Sequence, residues 1–138
     1  MLYTAYIAFE AEARSVSNYE LLVVPELLQT EAYARAVITS GLPMVSEHEV
    51  EQHVQARIER QRLFTKPDPL KLSAIVDEAA LHRQVGGPGV MRAQLVHLMK
   101  AAHEPHVTFH VIPYSTGAHP GMSGSFVLLD LPNPAGPS

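Results

Sequence analysis

The fold class is decided by residues 86–114, GGPGVMRAQLVHLMKAAHEPHVTFHVIPY, where the pattern changes from a breaker to a helix and then to a strand. Glycine and proline at 86–89 break the preceding segment, and Pro105 ends the segment that follows. Between them the apolar residues recur at intervals of four, three and four, which predicts an amphipathic helix. Residues 107–114 are rich in β-branched and aromatic side chains and predict a strand. The residues that set the helical period are Met91, Leu95, Leu98 and Ala102.

Helix and strand patterns alternate on both sides of this stretch. Residues 125–131 predict a strand that follows 107–114 after a glycine-rich loop, which favours an antiparallel pair. Ser46 and Glu49 form a capping box at the start of the clearest helix. We predict further strands at 19–24 and 70–76, and helices at 4–14, at 25–41 in two consecutive pieces, and at 47–64.

This alternation predicts an α+β fold with a single small domain over residues 1–131. We expect a three- or four-stranded, largely antiparallel sheet with helices packed mainly on one face. A chain of 138 residues is long enough for one hydrophobic core of this kind. Residues 132–138, PNPAGPS, have nothing to bury, so we expect a flexible Pro-rich tail.

The composition excludes several classes of protein. Ten Lys and Arg against fourteen Asp and Glu give a formal charge of −4, the wrong sign for a surface that must neutralise phosphates. The chain has no cysteine, which excludes disulfides, thiolate zinc sites and cysteine nucleophiles. Its N-terminus lacks a signal-peptide pattern, and no apolar run approaches the roughly 20 residues that span a bilayer. We therefore expect a cytoplasmic protein with no direct nucleic-acid or membrane partner.

Motifs for metal and nucleophile chemistry are weak in this sequence. Four of its eight histidines lie close together, but on different predicted elements, so surface or hydrogen-bonded histidines are a better interpretation than a zinc site. The segment 121–125, GMSGS, does not match the Gly-x-Ser-x-Gly nucleophile elbow. The glycines at 86–89 are not followed by the Lys-Ser or Lys-Thr of a phosphate loop. We expect no metal and no cofactor; the four histidines are His97, His103, His106 and His110.

Five phrases of the sequence occur together in a characteristic order. They resemble the C-terminal domain of unknown function of actinobacterial, antitoxin-like helix-turn-helix transcriptional regulators, and the resemblance implies a regulatory or ligand-sensing module. The phrases are VPELLQT at 24–30 with Tyr33-Ala34, RQRL at 60–63, DEAAL at 77–81, VGGP at 85–88 with MRAQL at 91–95, and Pro113 with GAHPG at 117–121.

Three departures from the family pattern shape the expectation for this copy. The family carries an N-terminal helix-turn-helix domain, which this chain lacks, and it usually has Gly at the position of Glu26. It also continues past the last strand with a further strand and a helix, where this chain has its Pro-rich tail. We therefore expect a stand-alone copy that does not touch DNA itself. Its uncovered sheet edge should pair with a second copy in a homodimer.

Two functional hypotheses from different classes follow. In the first, the domain binds a small apolar organic molecule or a partner protein, in an apolar cavity with a few polar anchors. In the second, it is a cofactor-independent isomerase or cyclase of actinobacterial secondary metabolism, in which shape and hydrogen bonding act on an apolar substrate.

The candidate site residues combine polarity with an apolar neighbourhood. Glu78 follows the apolar strand 70–76, where a carboxylate can be tuned for proton transfer, and His119 is the alternative for that role. Tyr114 is the candidate hydrogen-bond donor, so these three are the predicted catalytic residues. The predicted ligand-binding residues are Gln29, Tyr33, His82, Gln94 and Met122.

Overall fold

The computed structural model describes residues 2–41 and 45–132, and its elements form an α+β domain. The helices are α1 (Leu2–Glu12), α2 (Glu31–Gly41), α3 (Glu47–Glu59), α4 (Glu78–His82) and α5 (Pro88–Ala101). The strands are β1 (Ser15–Glu20), β2 (Lys71–Asp77), β3 (Val107–Ile112) and β4 (Phe126–Asp130). Short 3₁₀ turns lie at Glu26–Leu28, Arg60–Phe64, Tyr114–Thr116 and Pro120–Ser123. The predicted α+β class is confirmed.

The four strands form one mixed sheet in the order β3-β2-β1-β4. β1 pairs with β2 and β2 with β3 in parallel, whereas β4 runs antiparallel to β1. The sheet is therefore not largely antiparallel, because helical crossovers between β1 and β2, and between β2 and β3, return the chain to the same end. Residues 107–114 and 125–131 are not paired with each other either. The loop between them carries the chain from one edge of the sheet to the other.

The boundaries differ from the predicted ones in two places. β1 begins at Ser15 instead of residue 19 and ends at Glu20, because pairing with strands on both sides outweighs the weak strand propensity of its serines. The predicted helix 47–64 is α-helical only to Glu59 and continues as a 3₁₀ turn. Its predicted cap is confirmed, since the Ser46 hydroxyl accepts the N–H of Glu49 at 3.2 Å. Apart from Pro132, the predicted tail lies outside the described residues.

The helices pack on one face of the sheet, as predicted, and the other face is exposed apart from the part around Tyr19, which the loop after β3 covers. Alternate residues of the central strands, such as Val16 and Ala74, join a core that also contains Leu28 and Tyr33. On the opposite face Lys71, Thr108, His110 and Leu128 are exposed. Within the described residues, no helix is long and apolar enough to cross a membrane.

Candidate functional site

Three of the predicted ligand-binding residues lie inside the domain and hold the backbone of residues 24–30. The Tyr33 hydroxyl accepts the N–H of Val24 at 3.0 Å, and the Gln29 amide donates to the carbonyl of the same residue at 2.8 Å. Gln94 bonds two further backbone groups of this segment, an N–H and a carbonyl, each at 2.8 Å. All three side chains are almost fully buried. Their polar atoms therefore support the protein's own backbone, and ligand contact stays a prediction.

Three other predicted residues meet at the carboxyl end of β2. One carboxylate oxygen of Glu78 accepts the N–H of Tyr114 at 2.8 Å, and the other lies 2.8 Å from Nε2 of His82. The ring of His82 stacks on the ring of Tyr114, with centroids 5.6 Å apart. The Tyr114 N–H, and then His82, lower the pKa of Glu78. Glu78 is therefore a carboxylate near neutral pH and accepts hydrogen bonds, while its role in proton transfer stays a prediction.

The remaining predicted catalytic residue, His119, faces two residues that were not selected from the sequence. Its Nε2 lies 3.5 Å from the Tyr19 hydroxyl and 3.7 Å from Oδ2 of Asp77. Its Nδ1 accepts the N–H of Gly121 at 3.1 Å, so the neutral imidazole carries its proton on Nε2. Burial, and then the charge of Asp77, raise the pKa of Tyr19. Tyr19 therefore keeps its proton near neutral pH.

The loop that carries His119 packs tightly on Tyr19. A Cβ atom at Gly121 would lie 2.8 Å from the Cζ atom of the Tyr19 ring, closer than real side chains approach. The predicted ligand residue Met122 is exposed, and its sulfur lies 3.4 Å from the backbone nitrogen of His119. The loop therefore covers Tyr19 and holds His119 beside Asp77, and a role of His119 in proton transfer stays a prediction.

A second set of charged residues lies inside the domain, which we call the Arg60 cluster (Tyr6, Glu10, Glu26 and Arg60). The guanidinium donates to both carboxylate oxygens of Glu10, at 2.8 and 2.7 Å, and contacts the Glu26 carboxylate at 2.5 Å. Tyr6 donates to Glu10 at 2.9 Å, and burial together with this carboxylate raises its pKa. The side chains of Glu10 and Arg60 are 0% and 6% exposed. The cluster therefore joins α1 to the turn after α3.

An apolar groove of about 590 Å³ lies beside α5, and we call it the α5 groove. Its floor comes from the Glu26–Leu28 turn and its walls from α5 and from residues 58–65. The ring of Phe64 lies against His106, with centroids 5.0 Å apart. The α5 groove is lined by Leu27, Leu28, Ile58, Gln61, Arg62, Phe64, Thr65, His97, Lys100, Ala101, Glu104, His106 and Val107.

A second concavity of about 490 Å³, the α5 shelf, adjoins this groove. His97 and Lys100 line both, so they form the border between them. Burial, and then the positive charge of Lys100, lower the pKa of His97, so its imidazole is neutral at pH 7. The shelf is lined by Thr30, Gly89, Arg92, Ala93, Val96, His97 and Lys100.

The four histidines considered for a metal are spread over different surroundings. His97 borders the α5 groove, His106 stacks on Phe64, and His103 lies 2.7 Å from the backbone oxygen of Met99. His110 is exposed on the open face of the sheet. Across residues 2–41 and 45–132, no three His, Asp or Glu side chains converge as metal ligands.

The sequence matches the model of one known protein family. A family model described as Domain of unknown function (DUF5753) matches residues 3–138. The chain belongs to this family. No curated protein and no solved structure gives a significant match.

In this DUF5753 domain, sequence reasoning missed the residues that shape the α5 groove. None of the predicted catalytic or ligand-binding residues lines the groove or the shelf. One signal was available in the sequence: α5 carries two cations, Arg92 and Lys100, and no acid. A helix that places cations on its surface without acidic neighbours gains nothing from pairs along the helix. Such a helix is a candidate for contact with something outside the chain.

Proposed function

We propose that this DUF5753 domain binds a small, mainly apolar organic molecule in the α5 groove. The observation that carries the proposal is a groove of about 590 Å³ walled by Leu27, Ile58 and Phe64. Its volume falls within the roughly 300–1,000 Å³ that is typical of small-molecule sites. Six of its thirteen lining residues are apolar, and the other seven can supply the polar anchors that such sites use.

The buried amides give the groove a fixed floor. Gln94 donates to the carbonyl of Leu28, a floor residue, and Gln61 donates to the carbonyl of Gln29 at 2.8 Å. Because these bonds hold the irregular segment 24–30 in place, we assign Gln29, Tyr33 and Gln94 a positioning role beneath the site. A floor fixed before binding reduces the ordering cost of taking up a ligand.

We further propose that the domain serves as the ligand-sensing part of an actinobacterial regulator and acts in the cytoplasm. The support is the sequence resemblance to C-terminal regulator domains, together with a groove suited to an effector. A homodimer is part of this proposal. β4 lies at an edge of the sheet and exposes Phe126 and Leu128 to 49% and 61%, and a second copy would cover such an edge.

The groove can be tested with an uncharged fluorescent probe, N-phenyl-1-naphthylamine. Ala101 lines the groove, whereas its exposed neighbour Ala102 does not. We expect saturable binding to the unmodified protein, a loss of about tenfold in affinity for Ala101→Phe, and less than about twofold change for Ala102→Phe. Absence of saturable binding, or equal effects of the two substitutions, would refute the proposal.

A second candidate function is the cofactor-independent isomerase or cyclase. It is favoured by His119, whose Nε2 faces Asp77 and Tyr19 at 3.7 and 3.5 Å where three parallel strands end, a usual place for ligands in open sheets. This function predicts turnover of an apolar substrate that His119→Asn abolishes without unfolding the protein. Full turnover in that variant would remove the assignment.

A further inference from the structure

We propose that the molecule bound in the α5 groove is an organic anion. Its apolar body lies in the groove and its charged group, a carboxylate, sulfonate or phosphate, is held by Lys100 with Arg92 nearby. The inference rests on the proposed function, because it names the chemical class of the molecule that the same groove takes.

The first step of the argument is position. Lys100 lines both the groove and the shelf, so its ammonium group can reach a ligand whose body lies in the groove. Arg92 lines the shelf two helical turns earlier, about 12 Å along the helix axis at 1.5 Å per residue. A ligand in the groove therefore has an apolar wall on one side and cations along the border.

The second step is charge. The groove and the shelf together are lined by three cations, Arg62, Arg92 and Lys100, and by a single acid, Glu104. Their formal sum is three minus one, or +2, and it is +1 when Glu59, which pairs with Arg62, is included, in a chain whose net charge is −4. This surface therefore has the opposite sign to the chain as a whole, and it favours an anion.

The third step is the absence of an internal partner. In the part of the chain that the structure describes, no carboxylate lies within 4.0 Å of Arg92 or Lys100. By contrast, Arg35, Arg57, Arg60 and Arg62 each contact a glutamate. The dipole of α5 stabilises a cation near its C-terminal end, which accounts for Lys100 but not for Arg92 in its N-terminal half. An external anion beside Lys100 gives that cation a partner, and Arg92, farther along the helix, adds to the positive field.

The experiment compares two probes that differ in one charged group. 8-Anilinonaphthalene-1-sulfonate is an organic anion, and N-phenyl-1-naphthylamine has the same aromatic rings without the sulfonate. Affinities are measured by fluorescence titration for the unmodified protein, Lys100→Met, Arg92→Met and the control Lys71→Met. Lys71 is an exposed cation of β2, outside both concavities. Inorganic phosphate is added as a competitor to test whether an anion without an apolar body is enough.

We expect the sulfonate to bind about tenfold more tightly than the uncharged probe and to weaken with added salt. Lys100→Met should remove most of this difference and leave the uncharged probe within about twofold, with a smaller loss in Arg92→Met and none in Lys71→Met. Millimolar phosphate should not displace the sulfonate.

The outcomes separate the two proposals. Equal affinity of the two probes, or loss of both probes in Lys100→Met, overturns the inference while the groove itself stands. Displacement of the sulfonate by phosphate overturns it as well, because the anion would then bind without the groove. If neither probe binds the unmodified protein, the proposed function fails and the inference fails with it.

Discussion

The Arg60 cluster and the α5 shelf differ in how their cations are paired. Inside the domain, Arg60 is 6% exposed and is held by two glutamates, with the Tyr6 ring 5.5 Å from the guanidinium. On the shelf, Arg92 and Lys100 lie on a helix without acids, and within the described residues no carboxylate pairs with them. In the first arrangement, the positive charge of Arg60 is neutralised by the two glutamates, and the ion pairs stabilise the fold.

This difference separates residues that stabilise the fold from residues that are available to a ligand. A buried charge must be matched within the chain, because an unmatched one costs several kcal/mol. An exposed cation carries no such requirement, so its lack of a partner costs little and leaves its charge free to act outward. The comparison therefore predicts large stability effects in the Arg60 cluster and small ones along α5.

The largest effect is expected for Arg60→Met. This change leaves the carboxylate of Glu10, which is fully enclosed, without its cation, and we expect a loss of about 3–5 kcal/mol in the free energy of unfolding. Urea denaturation measures it. Arg62→Met is the matched control, because Arg62 is 76% exposed and pairs only with a surface glutamate, and it should cost less than about 1 kcal/mol. Similar losses in the two variants would contradict the assignment of Arg60 to the fold.

A smaller effect is expected for Gln94→Leu, which sharpens the comparison for uncharged groups. The change leaves the N–H of Thr30 and the carbonyl of Leu28 without their bonds to Gln94. Only the second bond is fully buried, so we expect a loss of about 1–3 kcal/mol in the free energy of unfolding. The exposed Gln84→Leu is the control. Because the floor of the groove includes Leu28, we also expect weaker binding of N-phenyl-1-naphthylamine. If the Gln94→Leu protein has normal stability, the side chain of Gln94 is not needed to hold the backbone, and its role as a ligand-binding residue is favoured instead.

The smallest effect is expected in the pH dependence of the free energy of unfolding, through His97 at the border of the groove. Burial and the charge of Lys100 lower the pKa of His97 from its ordinary 6.5, so the unfolded chain takes up the proton first as the pH falls. The stabilisation is thus complete above about pH 6.5 and is lost as the pH falls through the lower folded value. Unfolding measured between pH 5 and pH 7 should show a flatter profile for His97→Gln than for the exposed His103→Gln. Parallel profiles would show that folding does not lower the pKa of His97.

Most elements of the fold could be predicted from periodicity and breakers. The apolar spacing of α5 and the glycines before it predicted the position of that helix closely, and the capping box predicted the start of α3. The relative directions of the strands could not be predicted from these local patterns. They depend on which end of the sheet each crossover returns to, and residues 107–114 and 125–131 look like a hairpin locally although β4 pairs with β1.

The candidate site was less accessible to sequence reasoning. Residue type selected Glu78, His82 and Tyr114 individually, and the structure brings these three together. It also selected His119, which lies instead at Tyr19 and Asp77, and the roles of all four stay predictions. It could not show that Gln29, Tyr33 and Gln94 use their polar atoms on the backbone, because this depends on the path of an irregular segment. The α5 groove is formed by four separate parts of the chain, and no local pattern records their meeting.

The position of β4 has a consequence for synthesis of the chain. Among the described strands it pairs with β1 alone, and the register joins Ser15 to Asp130, far apart in the sequence. Closing so large a loop is slow compared with forming local contacts. During translation, β1 therefore stays unpaired on this side until the Phe126–Asp130 segment has left the ribosome.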